Sequence, residues 1–141
     1  MVVSKKYIFL SHTADVKFRA YGKTVEQAFR NAALATFRVM STCKIKSLIQ
    51  KKIFVEAPDY QTLLCSFLEQ LLFYLDTEDF FLSDATVLIE TKKKGFSLTA
   101  IAFGDSAKKY ETHTLVKAIT YHEMLIQKKK DVWIVQVILD V

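Results

Sequence analysis

Asp15 and Asp140 stand at opposite ends of the chain, each against an apolar, strand-like run: Asp15 between Leu10-Ser11-His12-Thr13-Ala14 and Val16, Asp140 between Val137-Ile138-Leu139 and Val141. A lone aspartate at a strand end is ordinarily a solvated surface group. If these two strands meet, however, two carboxylates and the chain-end carboxylate at Val141 converge on one point. Packing alone would avoid that arrangement, and a hard cation requires it. Ca²⁺ and Mg²⁺ take carboxylate, carbonyl and water oxygens, so Asp15, Asp140 and Val141 would supply a half-site that something else completes.

Other residues offer softer or acid–base chemistry. His12 could ligate a metal or move a proton near neutral pH. No second His or Cys stands at zinc-ligand spacing from it, so the simpler role is to orient its loop by hydrogen bonds. The stretch Val116-Lys117-Ala118-Ile119-Thr120-Tyr121-His122 crowds a Lys, a Tyr and a His into a strand opening. Regular alternation would put Lys117, Ile119 and Tyr121 on one side and Ala118, Thr120 and His122 on the other, so they could not all serve one site. The lysine triplets 92–94 and 128–130 read as solvated hairpin tips; at one end of a sheet they would form a basic patch suited to phosphates. No aromatic residues interleave with them to stack bases. There is no Gly-rich phosphate loop, G-x-S-x-G elbow, CxxC pair or H-E-x-x-H motif.

The elements that must position these groups follow from periodicity. Residues 6–10 and 16–21 read as strands, the second with Val16, Phe18 and Ala20 on one face and Lys17, Arg19 and Tyr21 on the other. Thr24-Val25-Glu26-Gln27 has capping-box spacing and opens a helix over 24–40. A strand at 52–57 ends at Pro58, and Asp59 can cap a second helix with Leu63, Leu64, Phe67, Leu68, Leu71 and Leu72 on its apolar stripe. Segments 84–91 and 96–103 flank one lysine-rich turn, and 118–127 and 132–139 flank another. The last strand is apolar except for Gln136, which predicts a central position buried on both faces. The expected fold is α+β, a mostly antiparallel sheet with two main helices covering one face, in a single domain over 1–141.

Composition agrees with that size. The chain has 141 residues, 51% hydrophobic and 25% charged, with 3 Gly and 1 Pro, which leaves little room for a linker. No apolar run approaches membrane-spanning length, and the expectation is a soluble, unsecreted protein. Cys43 and Cys65 read as reduced residues beside apolar neighbours. A net charge of +5 permits polyanion contact.

Taken in order, Tyr7-Ile8-Phe9-Leu10-Ser11-His12-Thr13-Ala14-Asp15-Val16, Arg19-Ala20-Tyr21-Gly22-Lys23-Thr24, Leu71-Leu72-Phe73-Tyr74-Leu75-Asp76-Thr77-Glu78, Val116-Lys117-Ala118-Ile119-Thr120-Tyr121-His122 and Val137-Ile138-Leu139-Asp140-Val141 resemble the archease family over nearly the whole chain. The resemblance implies a small α+β protein that is not itself an enzyme. It would serve as cofactor of the GTP-dependent tRNA-splicing ligase, promoting guanylylation and multiple turnover in tRNA splicing and RNA repair. It implies a divalent-cation site, calcium first and Mg or Mn as alternatives, at Asp15, Asp140 and Val141. Lys117, with His12, Tyr121 and His122, forms the candidate partner-activating set. RNA contact would be indirect or weak, no membrane would be involved, and the location would be cytoplasmic, or nuclear in a eukaryote. Two departures stand out: Phe67-Leu68-Glu69-Gln70 replaces the family's Trp-Leu-Asn-Glu, and Leu115 replaces an acidic residue. The residues alone leave two alternatives, a metal-dependent phosphohydrolase or nucleotide-modifying enzyme and an RNA-binding or chaperone-like module.

Overall fold

The computed structural model describes residues 5–12 and 14–141. Its elements are β1 (Tyr7–Leu10), β2 (Val16–Gly22), α1 (Val25–Met40), β3 (Ile49–Ala57), α2 (Tyr60–Glu78), β4 (Phe80–Lys92), β5 (Gly95–Ser106), β6 (Ala118–Lys129) and β7 (Val132–Asp140). The α+β class is as expected, and the antiparallel strands divide between two sheets, β1-β2-β7-β6 and β3-β5-β4. Both helices pack on strands of both sheets: α1 on β2, β4 and β7, α2 on β3 and β6.

Each helix begins where a side chain satisfies its first free N–H groups. Thr24 Oγ1 accepts from the Gln27 N–H at 3.1 Å, and Gln27 Oε1 accepts from the Lys23 N–H at 2.9 Å. Asp59 caps α2 by accepting from the Thr62 N–H at 2.7 Å. The buried faces are those the apolar stripes predict, with Ala28, Phe29, Ala32 and Met40 on α1 and Leu63, Leu64, Phe67, Leu68 and Leu71 on α2. Between the sheets, Tyr60 of α2 stacks on Phe96 of β5 at 4.2 Å and meets Trp133 of β7 edge-on at 5.6 Å. One aromatic cluster thus ties a strand of each sheet to a helix.

On β2, Phe18 and Ala20 are buried while Lys17, Arg19 and Tyr21 are only partly so, which is the predicted alternation. β7 lies inside its sheet, and Val135, Gln136, Val137, Ile138 and Leu139 are all buried. Its inward residues Val135, Val137 and Leu139 join the main core, which leaves Gln136 and Ile138 on the opposite face. Cys43 and Cys65 are free thiols.

Helix α1 is joined to β4 by a fork-shaped ion pair, Arg30 Nε to Asp84 Oδ1 at 2.7 Å and Arg30 Nη2 to Asp84 Oδ2 at 3.0 Å. Burial pushes the Asp84 carboxyl up, but the Arg30 hydrogen bonds and the Ala85 N–H outweigh it and hold the group below the usual aspartate range. A carboxyl that is more acidic when folded contributes stability above its unfolded pKa and loses it as the pH falls through the folded value. Asp84→Asn should therefore lose less stability than the parent between neutral pH and about pH 3. Urea midpoints at the two pH values check this, and equal losses would refute it.

Candidate functional site

The pairing of β2 with β7 sets the geometry of the two terminal aspartates. Val16 lies opposite Leu139, so Asp15 and Asp140 flank the last paired position of the two strands. On the other side of β7, Ala118 lies opposite Asp140, and the Lys117 N–H donates to the Asp140 carbonyl at 2.7 Å. Asp15, Lys117, Asp140 and Val141 are thereby gathered at one end of the four-stranded sheet. Asp15 is half-buried, Asp140 exposed, and Val141 packs partly against the core. Two carboxylates and main-chain oxygens at a sheet end are a donor set suited to a hard divalent ion. Thr13 of the His12-Thr13-Ala14-Asp15 segment lies outside the described residues.

A second group lies beside this end. His12 Nδ1 stands 4.0 Å from Asp15 Oδ2, while its Nε2 stands 3.5 Å from Glu123 Oε2. His122 Nε2 approaches the same Glu123 oxygen at 3.4 Å, and Lys17 Nζ donates to Glu123 Oε1 at 3.0 Å. The lysine hydrogen bond, then the approach of His12, keeps the Glu123 carboxyl below the usual glutamate range.

Adjacent residues on a regular strand point to opposite faces, so His122 and Glu123 could not normally meet one partner. They meet here because β6 is irregular. Its pairing with β7 runs Thr120 to Ile138, then resumes at Leu125 to Gln136, which leaves 121–124 on β6 opposite Val137 alone. Within this bulge Glu123 adopts a left-handed backbone, φ 53. Gln136 pins it: its Nε2 donates to the Glu123 carbonyl at 2.8 Å, and its Oε1 accepts from Arg19 Nε at 2.8 Å. The one polar interruption in β7 therefore satisfies a bulge that would otherwise carry an orphan carbonyl.

Sequence reasoning placed His12 and His122 among the candidates but missed Glu123, Lys17 and Gln136. The expected segregation of the 117–122 stretch is observed in part: Tyr121 turns toward α2, where hydrogen bonding with Cys65 pushes its hydroxyl up, whereas His122 reaches His12 across 6.5 Å between ring centres. The lysine tips 92–94 and 128–130 are exposed at their hairpin ends.

The fold and its carboxylate-bearing edge define a small two-sheet α+β protein, and comparison with known proteins gives its class. The archease protein family model (MTH1598/TM1083) matches residues 7–141. Curated relatives named protein archease include those of Methanosarcina barkeri, 39% identical with 97% of each chain covered, and Pyrococcus furiosus, 41% identical with 92% of this chain and 94% of the relative covered. The solution structure of Methanobacterium thermoautotrophicum protein 1598 superposes with a TM-score of 0.82 at 35% identity, covering 96% of this chain and 99% of that one. A Thermotoga maritima archease, described as a possible chaperone, shares the fold at a TM-score of 0.62 and 15% identity, with 94% of each chain covered. The chain belongs to the archease family. Among the described residues no helix is long and apolar enough to cross a membrane.

Proposed function

We propose that this archease is a protein cofactor of the GTP-dependent tRNA-splicing ligase, promoting its guanylylation and repeated turnover in tRNA splicing and RNA repair without performing the ligation itself. The observation that carries the reading is the strand register that sets Asp15 beside Asp140, with Lys117 directly before the neighbouring strand β6. A protein that only activates another enzyme acts by binding one of that enzyme's states more tightly than the other. An exposed sheet end bearing two carboxylates and a lysine is a surface that can enter a nucleotide site.

Asp15, Asp140 and main-chain oxygen at Val141 would hold the divalent ion, calcium first among Ca, Mg and Mn because carboxylate and carbonyl oxygens suit its larger, less regular shell. When bound, such an ion neutralises phosphate charge that develops during nucleotidyl transfer. The chain's own part is to fix the two carboxylates by the β2–β7 pairing, to hold Asp140 through the Lys117 N–H, and to present the Lys117 side chain beside them. His12, His122 and Tyr121 are further partner-activating candidates. The protein works in the cytoplasm on this reading, and its contact with RNA is indirect.

The test is guanylylation of purified ligase with the parent protein, Asp15→Ala or Asp140→Ala. Either substitution should reduce stimulation by roughly tenfold or more, the scale of losing an essential charge contact. Unchanged stimulation by both variants would sink the proposal.

A further inference from the structure

We propose that His12, His122 and Glu123 form a second cation site, of the two-histidine, one-carboxylate type, that takes a borderline transition metal such as Zn²⁺ and is separate from the Asp15–Asp140 pair. The ligand atoms all lie within 4.8 Å of one another. Glu123 Oε2 is 3.5 Å from His12 Nε2 and 3.4 Å from His122 Nε2. Those distances exceed those of a good N–H···O hydrogen bond. They match the edge of a zinc tetrahedron, in which ligands about 2.0–2.1 Å from the ion stand roughly 3.3 Å apart.

Three further features are those of a ligating histidine and carboxylate. First, His12 Nδ1 is buried with no hydrogen-bond partner among the described residues and faces Asp15 Oδ2 at 4.0 Å. A histidine that ligates through Nε2 characteristically directs its other nitrogen at a carboxylate, and a small rotation would close that distance. Second, Lys17 occupies Glu123 Oε1 at 3.0 Å and leaves Oε2 turned toward the histidines. Third, the left-handed Glu123 and the Gln136 hydrogen bond hold His122 and Glu123 on one side of an edge strand, a placement that costs backbone energy and that packing does not require. His122 and Glu123 are exposed, so a fourth coordination position opens to solvent or to a partner's donor group. Nitrogen ligands prefer Zn²⁺ over the hard ions that an all-oxygen set selects, so the two neighbouring sites differ in the metals they accept.

The consequence for the molecule is a clasp. An ion held by His12 and by the β6 bulge ties His12, and Asp15 beside it, to the strand at the far side of the sheet.

Titration of the metal-free, tag-free full chain with Co²⁺ as a spectroscopic stand-in for Zn²⁺ tests this. One Co²⁺ per chain should bind with visible bands of a nitrogen-ligated ion, be displaced by Zn²⁺ and resist excess Ca²⁺. His122→Ala and Glu123→Gln should each weaken Co²⁺ binding by about tenfold or more, whereas Asp140→Ala should change it by less than about threefold. Both substituted side chains are exposed, and circular dichroism confirms that the variants fold. Absence of the bands, or parent-like binding by His122→Ala, overturns the proposal. Loss of the bands in Asp140→Ala alone also overturns it, by assigning the ion to the carboxylate pair.

Discussion

Phe18→Ala is expected to lower the free energy of unfolding by about 3–5 kcal/mol, the cost of emptying a large aromatic site that cannot collapse. Phe18 has no solvent exposure and lies on the inward face of β2, between Phe9 on β1 and Val137 on β7, where α1 covers it. The loss combines the hydrophobic transfer of the ring with a cavity between a helix and the middle of a sheet, where hydrogen-bonded strands on both sides prevent closure. A typical domain has only about 5–15 kcal/mol in total, so the variant should be near the edge of folding at physiological temperature. Urea denaturation with an unchanged slope and a sharply lower midpoint is the expected result; a loss below about 1 kcal/mol would contradict the packing.

Gly104→Ala should be comparably damaging for a different reason. Gly104 on β5 pairs with Ile49 of β3 and with Leu82 of β4, next to the register shift between Leu82 and Asp84, and its carbonyl accepts from the Leu48 N–H at 2.8 Å. An added Cβ would lie 2.1 Å from the Phe81 carbonyl oxygen and 2.8 and 2.9 Å from the buried Phe80 ring. The first of these neighbours is backbone and cannot rotate away, so β4 would have to lift from β5. Overpacking ordinarily costs about 1–3 kcal/mol, and a clash with main chain belongs at or above the top of that range. Thermal unfolding that moved by only a degree or two would show that the close approach is absent.

The parts of this fold that were legible in the sequence are those written locally. Thr24 and Asp59 cap the helices because their side-chain oxygens sit three residues ahead of a free N–H, and the two lysine-rich turns announce the hairpins. Strand limits were less legible. β4 begins at Phe80 rather than Asp84 because Phe80, Phe81 and Leu82 are all buried and the bulge at Ser83 resets the alternation that would have revealed a strand. β3 begins at Ile49 rather than Lys52 because Ile49 and Gln50 are exposed and the polar Gln50 and Lys51 give no apolar alternation to reveal the strand. The division into two sheets depends on contacts distant in sequence and leaves no local mark.

The candidate site divides in the same way. Asp15 and Asp140 were visible because each sits at the end of an apolar run, and their adjacency follows once β2 pairs with β7. Glu123 was not visible. Its neighbours suggest steady alternation, and a non-glycine residue in a left-handed conformation has no compositional signature. The isolated Gln136 in an apolar strand was the available clue, since a buried amide demands partners and here finds them in Arg19 and the Glu123 carbonyl.

The irregularity of β6 has a further effect, on how the molecule behaves among its own copies. β6 is an outer strand, and an outer strand exposes a ladder of free N–H and C=O groups on which another chain can add. In this sheet that ladder is broken into a short stretch at Ala118–Thr120 and another from Leu125, with a bulge carrying His122 and Glu123 between them. The second stretch ends in Lys128 and Lys129, both exposed. A neighbouring strand could follow neither stretch into the other without losing register, and the lysines repel a copy of the same edge. The bulge that gathers the histidines and Glu123 also interrupts one open edge on which a second copy could add a strand.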